Sequence, residues 1–376
     1  MTKLANRITA IAVLAYMAYF LLLTVFSHKE NRSADENRAL AGRPSLSLSS
    51  AADGSAARDM SAYIADHFPF RTEWLKLNTR LRSGIAEDIV NGVFISDDML
   101  LDAKTSERRI NNGSVAAVNS FASQYGGALY VAVIPTSSGV YRERLPEYLD
   151  YYRESQQISD FYEKLSVSIK RIDAYNILKM LNENYIYYRN DTKWTSYGAY
   201  CVYRTVIQKL GFLPTTFDKY TVRHVTSDFR GNLYNRSFCT AADADILDFY
   251  YYPNGAEVVS CTGYYNSGRT ADKKIYDERQ LSSDYMYSAY LGDDVPLLKI
   301  KTNVNNERRL LVIKDSYADC FIPFLLQHYS EIDVVSPELL DEPVSSVVEL
   351  SDYEQTLILF GIENICRNGI LSPLEG

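Results

Sequence analysis

The sequence predicts an α/β fold: an α/β/α sandwich on a mainly parallel sheet, preceded by one transmembrane helix. Three observations predict it. Four short apolar runs, Ala128–Ile134, Arg309–Ile313, Ile332–Val335 and Thr356–Phe360, are near-continuously hydrophobic rather than alternating, the pattern of strands covered on both faces. Stretches with helical spacing lie between these runs, as βα units require. Finally, about twenty uncharged residues from Ile8 to Ser27 follow Lys3 and Arg7.

That first segment is long enough to span a bilayer core, and the basic residues ahead of it predict the N-terminus inside and the bulk of the chain outside. A signal peptide is the alternative. Its apolar core would be shorter, and Thr24-Val25-Phe26-Ser27-His28-Lys29 is not a small-x-small cleavage site. The expectation is an uncleaved single-pass anchor in the cell membrane, residues 1–30, with everything functional extracytoplasmic. Residues 31–90 read as a stalk and wrapping segment, polar from 28 to 60 and rich in Ser, Ala and Gly from Ser45 to Ser55. Within it, Asp66-His67-Phe68-Pro69-Phe70-Arg71 precedes a helical stretch from Thr72 to about Ile85.

Residues 91–376 form the α/β domain. Asn91-Gly92 is a turn into a short strand at Val93-Phe94-Ile95. Ala116–Tyr125 is helical, with Gly126-Gly127 as its stop. Pro135 halts the strand Ala128–Ile134. Ser155–Lys170 reads as a helix and Arg171–Tyr175 as a short strand. Ala199, Val202, Tyr203, Val206, Ile207 and Leu210 recur at helix spacing, with Thr195 or Ser196 as cap and Gly211 as stop. The stretch at about 215–300 is rich in Tyr, Asp and Gly without a period, and reads as an irregular insertion with short strands. After Arg309–Ile313 a turn leads to a helix from about Ala318 to Tyr329. No internal repeat or glycine-rich phosphate loop is visible.

Composition narrows the function. A net charge of −8 and a pI near 5.2 exclude a nucleic-acid partner, which demands a basic face. Five Cys without a CxxC pair and only four His give no metal-ligand spacing, so neither metal nor cofactor is expected. A disulfide between Cys239 and Cys261 is one pairing the sequence permits. The 31 Tyr suit a sugar-binding surface and suit mixed core packing equally.

Two short stretches carry chemistry. Lys314-Asp315-Ser316-Tyr317 lies where a buried strand ends, the place where sites gather in open α/β sheets. Ser316 is either a nucleophile with a helix N-terminus beside it or the cap of that helix. A nucleophilic Ser needs a base, and an acid to orient the base. Asp191-Thr192-Lys193-Trp194 offers an acid and a basic residue two positions apart on a loop before a helix, with one of only two Trp in the chain.

These residues resemble the DHHW proteins and, more distantly, the AlgJ and AlgX type of alginate O-acetylation proteins, all SGNH-hydrolase-like. The match runs in order through Glu36-Asn37-Arg38-Ala39-Leu40, Asp66 to Arg71, Asn91 to Phe94, and Pro135-Thr136 with Tyr141 and Leu145-Pro146. It continues through Tyr188 to Ala199, Asp228-Phe229-Arg230-Gly231, and Asp315-Ser316-Tyr317 leading to Ile322-Pro323-Phe324. Each piece is degenerate; their joint presence in order is specific. The resemblance implies an extracytoplasmic SGNH-type fold, a polysaccharide partner whose acetyl groups are added or removed, and a membrane-bound O-acyltransferase nearby. It implies Ser316 as nucleophile, Asp191 as the residue orienting the base, and Gly231 with the backbone around Ser316 as oxyanion candidates. Arg230, Tyr317 and Trp194 are further oxyanion or substrate candidates.

The departure is at the base. The family pattern reads Asp-x-His-Trp, and here Lys193 holds the His position, with Thr192 ahead of it. An imidazole takes and returns a proton near neutrality. An ammonium at about 10.4 does so only after burial lowers it by about three units, and Asp191 alongside pushes the other way. Neither His67 nor His224 falls at the base position. Lys193 is therefore expected to be charged, paired with Asp191, and not a base. Two functional expectations follow: an impaired acetyl-transferring or acetyl-ester-cleaving protein for polysaccharide, and, in a different class, a non-catalytic glycan-binding or scaffold partner of an acylating enzyme.

Overall fold

A computed structural model describes residues 2–33, 35, 36, 38–45, 47–84, 88–103, 109–149, 153–283 and 285–375; Asn37 and Ile85, named above, lie outside them. The chain divides into two compact units, Met1–Glu87 and Asp88–Gly376.

The first unit begins with α1 (Thr2–Phe26). Among the described residues it is the one helix long and apolar enough, over Leu4–Phe26, to cross a membrane. β1 (Arg32–Ser33) pairs antiparallel with β2 (Arg38–Ala39). α2 (Leu48–Ala52), α3 (Ser55–Asp66) and α4 (Arg71–Gly84) follow. Two sequence stretches that looked unconnected meet here. Arg38 bonds Asp66 at 2.5 Å and Glu36 at 2.8 Å, and Arg71 bonds Glu36 at 2.8 Å. The hydrogen bond from Arg38 is the main cause that holds the Asp66 carboxyl down at about 2. What composition suggested was a loose stalk is thus tied by a four-residue ionic clamp.

The second unit is an α/β/α sandwich with a mainly parallel sheet. Its strands before the main sheet, β3 (Ile89–Val90), β4 (Val93–Ile95) and β5 (Leu100–Asp102), form a small antiparallel sheet. Asn91 and Gly92, at φ 53 and 74, make the turn between the first two. The parallel core runs in the order β14 (Glu331–Val335), β13 (Arg309–Lys314), β15 (Gln355–Gly361), β6 (Ala128–Ile134) and β7 (Lys170–Ile172). The segment expected as an insertion supplies β8 (Thr221–Phe229) and β9 (Asp245–Tyr251) as a separate ribbon. It also supplies β10 (Val258–Tyr264), β11 (Thr270–Asp272) and β12 (Leu297–Thr302), which extend the main sheet antiparallel beyond β14.

Burial explains the near-continuous apolar runs. Leu310 and Val312 enter one core while Leu311 and Ile313 enter the other, so β13 is covered on both faces. α5 (Asn112–Gln124) and α7 (Glu154–Lys164) pack the second face through Val118, Phe121 and Phe161. α9 (Ser196–Lys209) packs the first through Val202, Tyr203 and Val206. Thr195 caps α9, its hydroxyl accepting from the Gly198 N–H, and Gly211 closes it at φ 89. The remaining helices are short: α6 (Ser137–Val140), α8 (Ala174–Met180), α10 (Asn232–Ser237), α11 (Ile322–Leu325), α12 (Val344–Val347) and α13 (Ile362–Ile365).

Several elements differ from expectation for local reasons. α7 stops at Lys164, because Leu165 turns extended and the Asn119 side chain accepts the Ser166 N–H. Residues 173–175 leave the strand because Asp173 caps α8. Gly126-Gly127 is not a left-handed stop for α5. A Cβ at Gly127 would lie 2.8 Å from the Glu354 carbonyl oxygen, so this glycine is needed for close packing. The expected helix from Ala318 to Tyr329 is a 3₁₀ turn, Ser316–Ala318, followed by the single turn of α11. Pro323 donates no backbone hydrogen bond, and Phe321, Ile322, Phe324 and Leu325 are buried all round, so no solvated helical face exists. All five cysteines are free, Cys239 and Cys261 included.

Candidate active site

β13 ends at the carboxyl edge of the sheet, between β14 and β15, and delivers Lys314, Asp315 and Ser316 there. Asp315, rather than Ser316, is the cap. Its carboxylate accepts from the Tyr317 N–H at 2.9 Å, the Gly361 N–H at 2.8 Å and the Asn364 amide at 2.8 Å, binding the ends of β13 and β15 together. Burial pushes its pKa up, and those same bonds hold it back. Ser316 is the one residue of Ile313–Cys320 that is not buried. With a 3₁₀ turn in place of a long helix, no macrodipole is available to an oxyanion at Ser316.

The opposing loop is a tight hairpin. Tyr187 and Trp194 form an antiparallel bridge, and the Tyr188 N–H donates to the Lys193 carbonyl at 3.2 Å. This puts Asp191, Thr192 and Lys193 at its tip, all buried. Trp194 fastens the tip to the serine turn: its indole N–H donates to the Tyr317 carbonyl at 2.8 Å, and its ring stacks on Phe321 at 6.2 Å and 8°. Tyr317 returns the link, its hydroxyl donating to the Thr192 carbonyl at 3.2 Å. Trp194 and Tyr317 are both 0% exposed, so what they do is hold the two loops together.

Asp191 is fully enclosed. One carboxylate oxygen accepts the Lys193 N–H at 2.9 Å and the other the Asn232 N–H at 2.9 Å. Gly231 lies against it so closely that a Cβ there would sit 2.1 Å from a carboxylate oxygen. Asn232 completes the grip, its side chain exchanging hydrogen bonds with Thr192 at 3.1 and 3.3 Å. Arg230 is turned elsewhere, with its guanidinium over the Tyr234 ring at 4.7 Å and donating to the Ala242 carbonyl.

The Lys193 ammonium lies 3.6 Å from Asp191, with the rings of Tyr287, Tyr285 and Tyr317 at 5.2, 5.8 and 6.0 Å. Burial favours its neutral form, but Asp191, Tyr285 and Glu363 outweigh burial and hold its pKa above the ordinary lysine value. An enclosed cation facing a carboxylate and three ring faces is stabilised as a cation. It is not available to take a proton.

A second buried lysine stands beside it. Lys314 bonds Asp294 at 2.8 Å and Asp319 at 2.6 Å. Burial, only partly offset by Lys314, pushes the Asp319 carboxyl up to about 7. The folded chain therefore keeps a proton that the unfolded chain has released. The stability this adds is full below the ordinary carboxylate value and is lost as pH rises through about 7. Asp319→Asn removes that titration. Its urea midpoint relative to the parent chain is expected to rise as pH is taken from the carboxylate range past neutrality; a difference that stays flat across that span refutes the assignment.

The structure thus brings together Asp191, Lys193, Gly231, Trp194 and Tyr317, with Ser316 next to Tyr317, and leaves Arg230 apart. Sequence reasoning missed Asn232, Tyr285, Tyr287, Asp294, Asp319 and Glu363. Only Asn232 had a signal, directly after Asp228-Phe229-Arg230-Gly231. Three of the four histidines are occupied elsewhere: the two ring nitrogens of His67 meet the carbonyls of Tyr63 and Glu30, His224 meets Asp248, and buried His328 meets the Tyr203 hydroxyl. Among the described residues no group of three or more His, Cys, Asp or Glu could hold a metal ion.

Residues 106–335 match the DHHW protein family. A DHHW family protein from Eubacterium siraeum shares the fold at TM-score 0.64 and 20% identity, over 76% of this chain and 96% of that one. Bacillus cereus PatB1 does so at TM-score 0.60 and 21% identity, over 73% and 97%. PatB1 carrying a sulfonyl adduct gives TM-score 0.62 and 19% identity, over 73% and 96%. No curated protein matches the chain in sequence.

Proposed function

Because the chain belongs to the DHHW family, we propose that it serves O-acetylation, by acetyl transfer or acetyl-ester hydrolysis, of a cell-surface or exported polysaccharide, with Ser316 as the hydroxyl that accepts the acyl group. One observation carries this reading. Ser316 is the accessible residue of a turn at the carboxyl edge of the sheet, and that turn is fastened through Tyr317 to the loop of Asp191, Lys193 and Trp194. The length and apolarity of α1 support a single-pass anchor, and Lys3 and Arg7 ahead of it favour the remainder on the extracytoplasmic side. The residues call for no cofactor.

In the acylation step the Ser316 oxygen attacks the acyl carbon, the bond from that carbon to the leaving oxygen breaks, and the serine proton must go to a base. Lys193 already holds its proton. The enclosed Asp191–Lys193 pair therefore favours a second reading as well, a non-catalytic glycan-binding or scaffold partner of a membrane-bound O-acyltransferase.

Sulfonyl fluorides separate the two, since a fold neighbour carries a sulfonyl adduct. An activated Ser oxygen displaces fluoride and gains the sulfonyl mass. Incubation of the full chain in detergent with phenylmethanesulfonyl fluoride is expected to label Ser316 slowly, and Ser316→Ala not at all. Equal labelling of both forms rules out Ser316. No labelling of either, with polysaccharide acetylation in a deletion strain restored by Ser316→Ala, establishes the scaffold reading.

A further inference from the structure

The unit Met1–Glu87 carries a surface that acyl chemistry does not use. In α3, Ala57, Met60 and Ile64 recur at three- and four-residue spacing, and Trp74, Leu77 and Leu81 do the same in α4, so each helix presents one apolar face. These faces are open: Ile64 is 45% exposed, Trp74 42%, Leu77 43% and Leu81 62%. A cavity of about 790 Å³ lies along them, lined by Met60, Ile64, Phe68, Trp74 and Leu75 among others. An apolar expanse of this kind marks an interaction surface.

Its position says what covers it. The Phe20 ring of α1 stacks on Phe68 at 5.5 Å and 9° and lies 6.3 Å from Trp74, so the open face continues directly from the apolar helix. Lys29 donates to the Thr24 carbonyl and, at 3.5 Å, to the His67 carbonyl. The His67 ring meets the Glu30 carbonyl at 3.0 Å. The end of α1 is therefore fixed against the α3–α4 turn. Phe20 is six residues from the last residue of α1, about 9 Å along the axis at 1.5 Å per residue. That is the depth of roughly 5–10 Å at which amphipathic helices seat their apolar face in a bilayer. α4 adds the charge pattern, with Arg71, Lys76, Arg80 and Arg82 against the single acid Glu73. Trp74 is the side-chain type that favours the headgroup boundary.

We propose that α3 and α4 lie in the membrane interface beside the emerging α1, with Ile64, Phe68, Leu77 and Leu81 in the outer acyl region, Trp74 at its boundary with the headgroups, and Lys76, Arg80 and Arg82, the basic residues of α4 outside the clamp, at anionic headgroups. This rests on α1 being retained as a membrane anchor. The pairing of Phe20 with Phe68 is itself a reason for retention, because cleavage after α1 strips Phe68 and Trp74 of their partner.

The test uses the full chain in vesicles of phosphatidylcholine and phosphatidylglycerol, with and without bromine on the acyl chains. The chain has two Trp, and Trp194 is 0% exposed within the other unit. The expected result is loss of the Trp74 emission in brominated vesicles and no loss in Trp74→Phe. A photo-crosslinker at Leu77 is expected to yield lipid adducts. Unquenched Trp74, or a Leu77 crosslink to residues 88–376 or to another protein in place of lipid, overturns the proposal while α1 stays resistant to alkaline extraction. Extraction of the chain by alkali overturns it through the anchor instead, and the two failures are thereby distinguished.

Discussion

Trp194→Ala is expected to cost the fold about 3–5 kcal/mol, the range for removing a large buried aromatic side chain. Three losses coincide at this position. The indole occupies fully buried space, so its removal leaves a cavity beneath the loop. Its stack on Phe321 goes. The Tyr317 carbonyl loses its donor in a buried setting, where an unmet acceptor costs about 1–3 kcal/mol. Because Tyr317 follows Ser316 directly, the serine turn loosens as well, and sulfonyl labelling of Ser316 is expected to slow. Trp194→Phe separates the contributions in part: a ring still faces Phe321, while the N–H and part of the buried volume are lost, so its cost is expected to be smaller than that of Trp194→Ala but no less than the roughly 1–3 kcal/mol of the unmet carbonyl. The midpoint of urea unfolding followed by far-ultraviolet circular dichroism measures both. If Trp194→Ala unfolds no more easily than Trp194→Phe, the indole is not filling the core beneath the loop.

Which parts of this were legible in the sequence follows from how local the causes are. The parallel strands were readable because Val131, Val312 and Ile358 are 0% exposed on a sheet covered on both faces, and polar residues rarely interrupt such runs, Asp333 being the exception, where the Tyr353 hydroxyl donates to the carboxylate. The pairing of Asp191 with Lys193 was readable because two residues on one tip cannot avoid each other. The segment after Ser316 was not readable as a broken turn. Apolar residues from Ala318 to Tyr329 satisfy a helical count whether one face or every face is buried, and here every face is. The rings around Lys193 were equally hidden. Tyr285 and Tyr287 come from a distant 3₁₀ segment within a Tyr-rich stretch, and nothing in their spacing distinguishes ring faces turned to a cation from ordinary core. The clamp between Glu36 and Arg71 had its residues in view, but only the fold shows that the two motifs are one structure.

Lys193→His is expected to raise Ser316-dependent hydrolysis of an acetyl ester by at least about 10²-fold, the lower end of what a positioned general base contributes. The surroundings already suit an imidazole. Asp191 is fixed by the Lys193 and Asn232 N–H groups and by its contact with Gly231, and neither backbone donor depends on the side chain at 193. A ring nitrogen facing that carboxylate is held as the donor, leaving the other nitrogen free to accept a proton. Asp191 favours imidazolium, so the gain is expected to appear as pH rises through the upper part of the histidine range and to level off above it. Removing the ammonium has its own cost, because a buried carboxylate that loses its partner destabilises by about 3–5 kcal/mol. Lys193→Gln is the matched control: it removes the same cation and supplies no base. Activity in Lys193→His that exceeds Lys193→Gln, follows a histidine-like pH profile and vanishes with Ser316→Ala locates the block at one side chain. Equal activity in the two variants means that relief of the ion pair, not a missing base, governs the site.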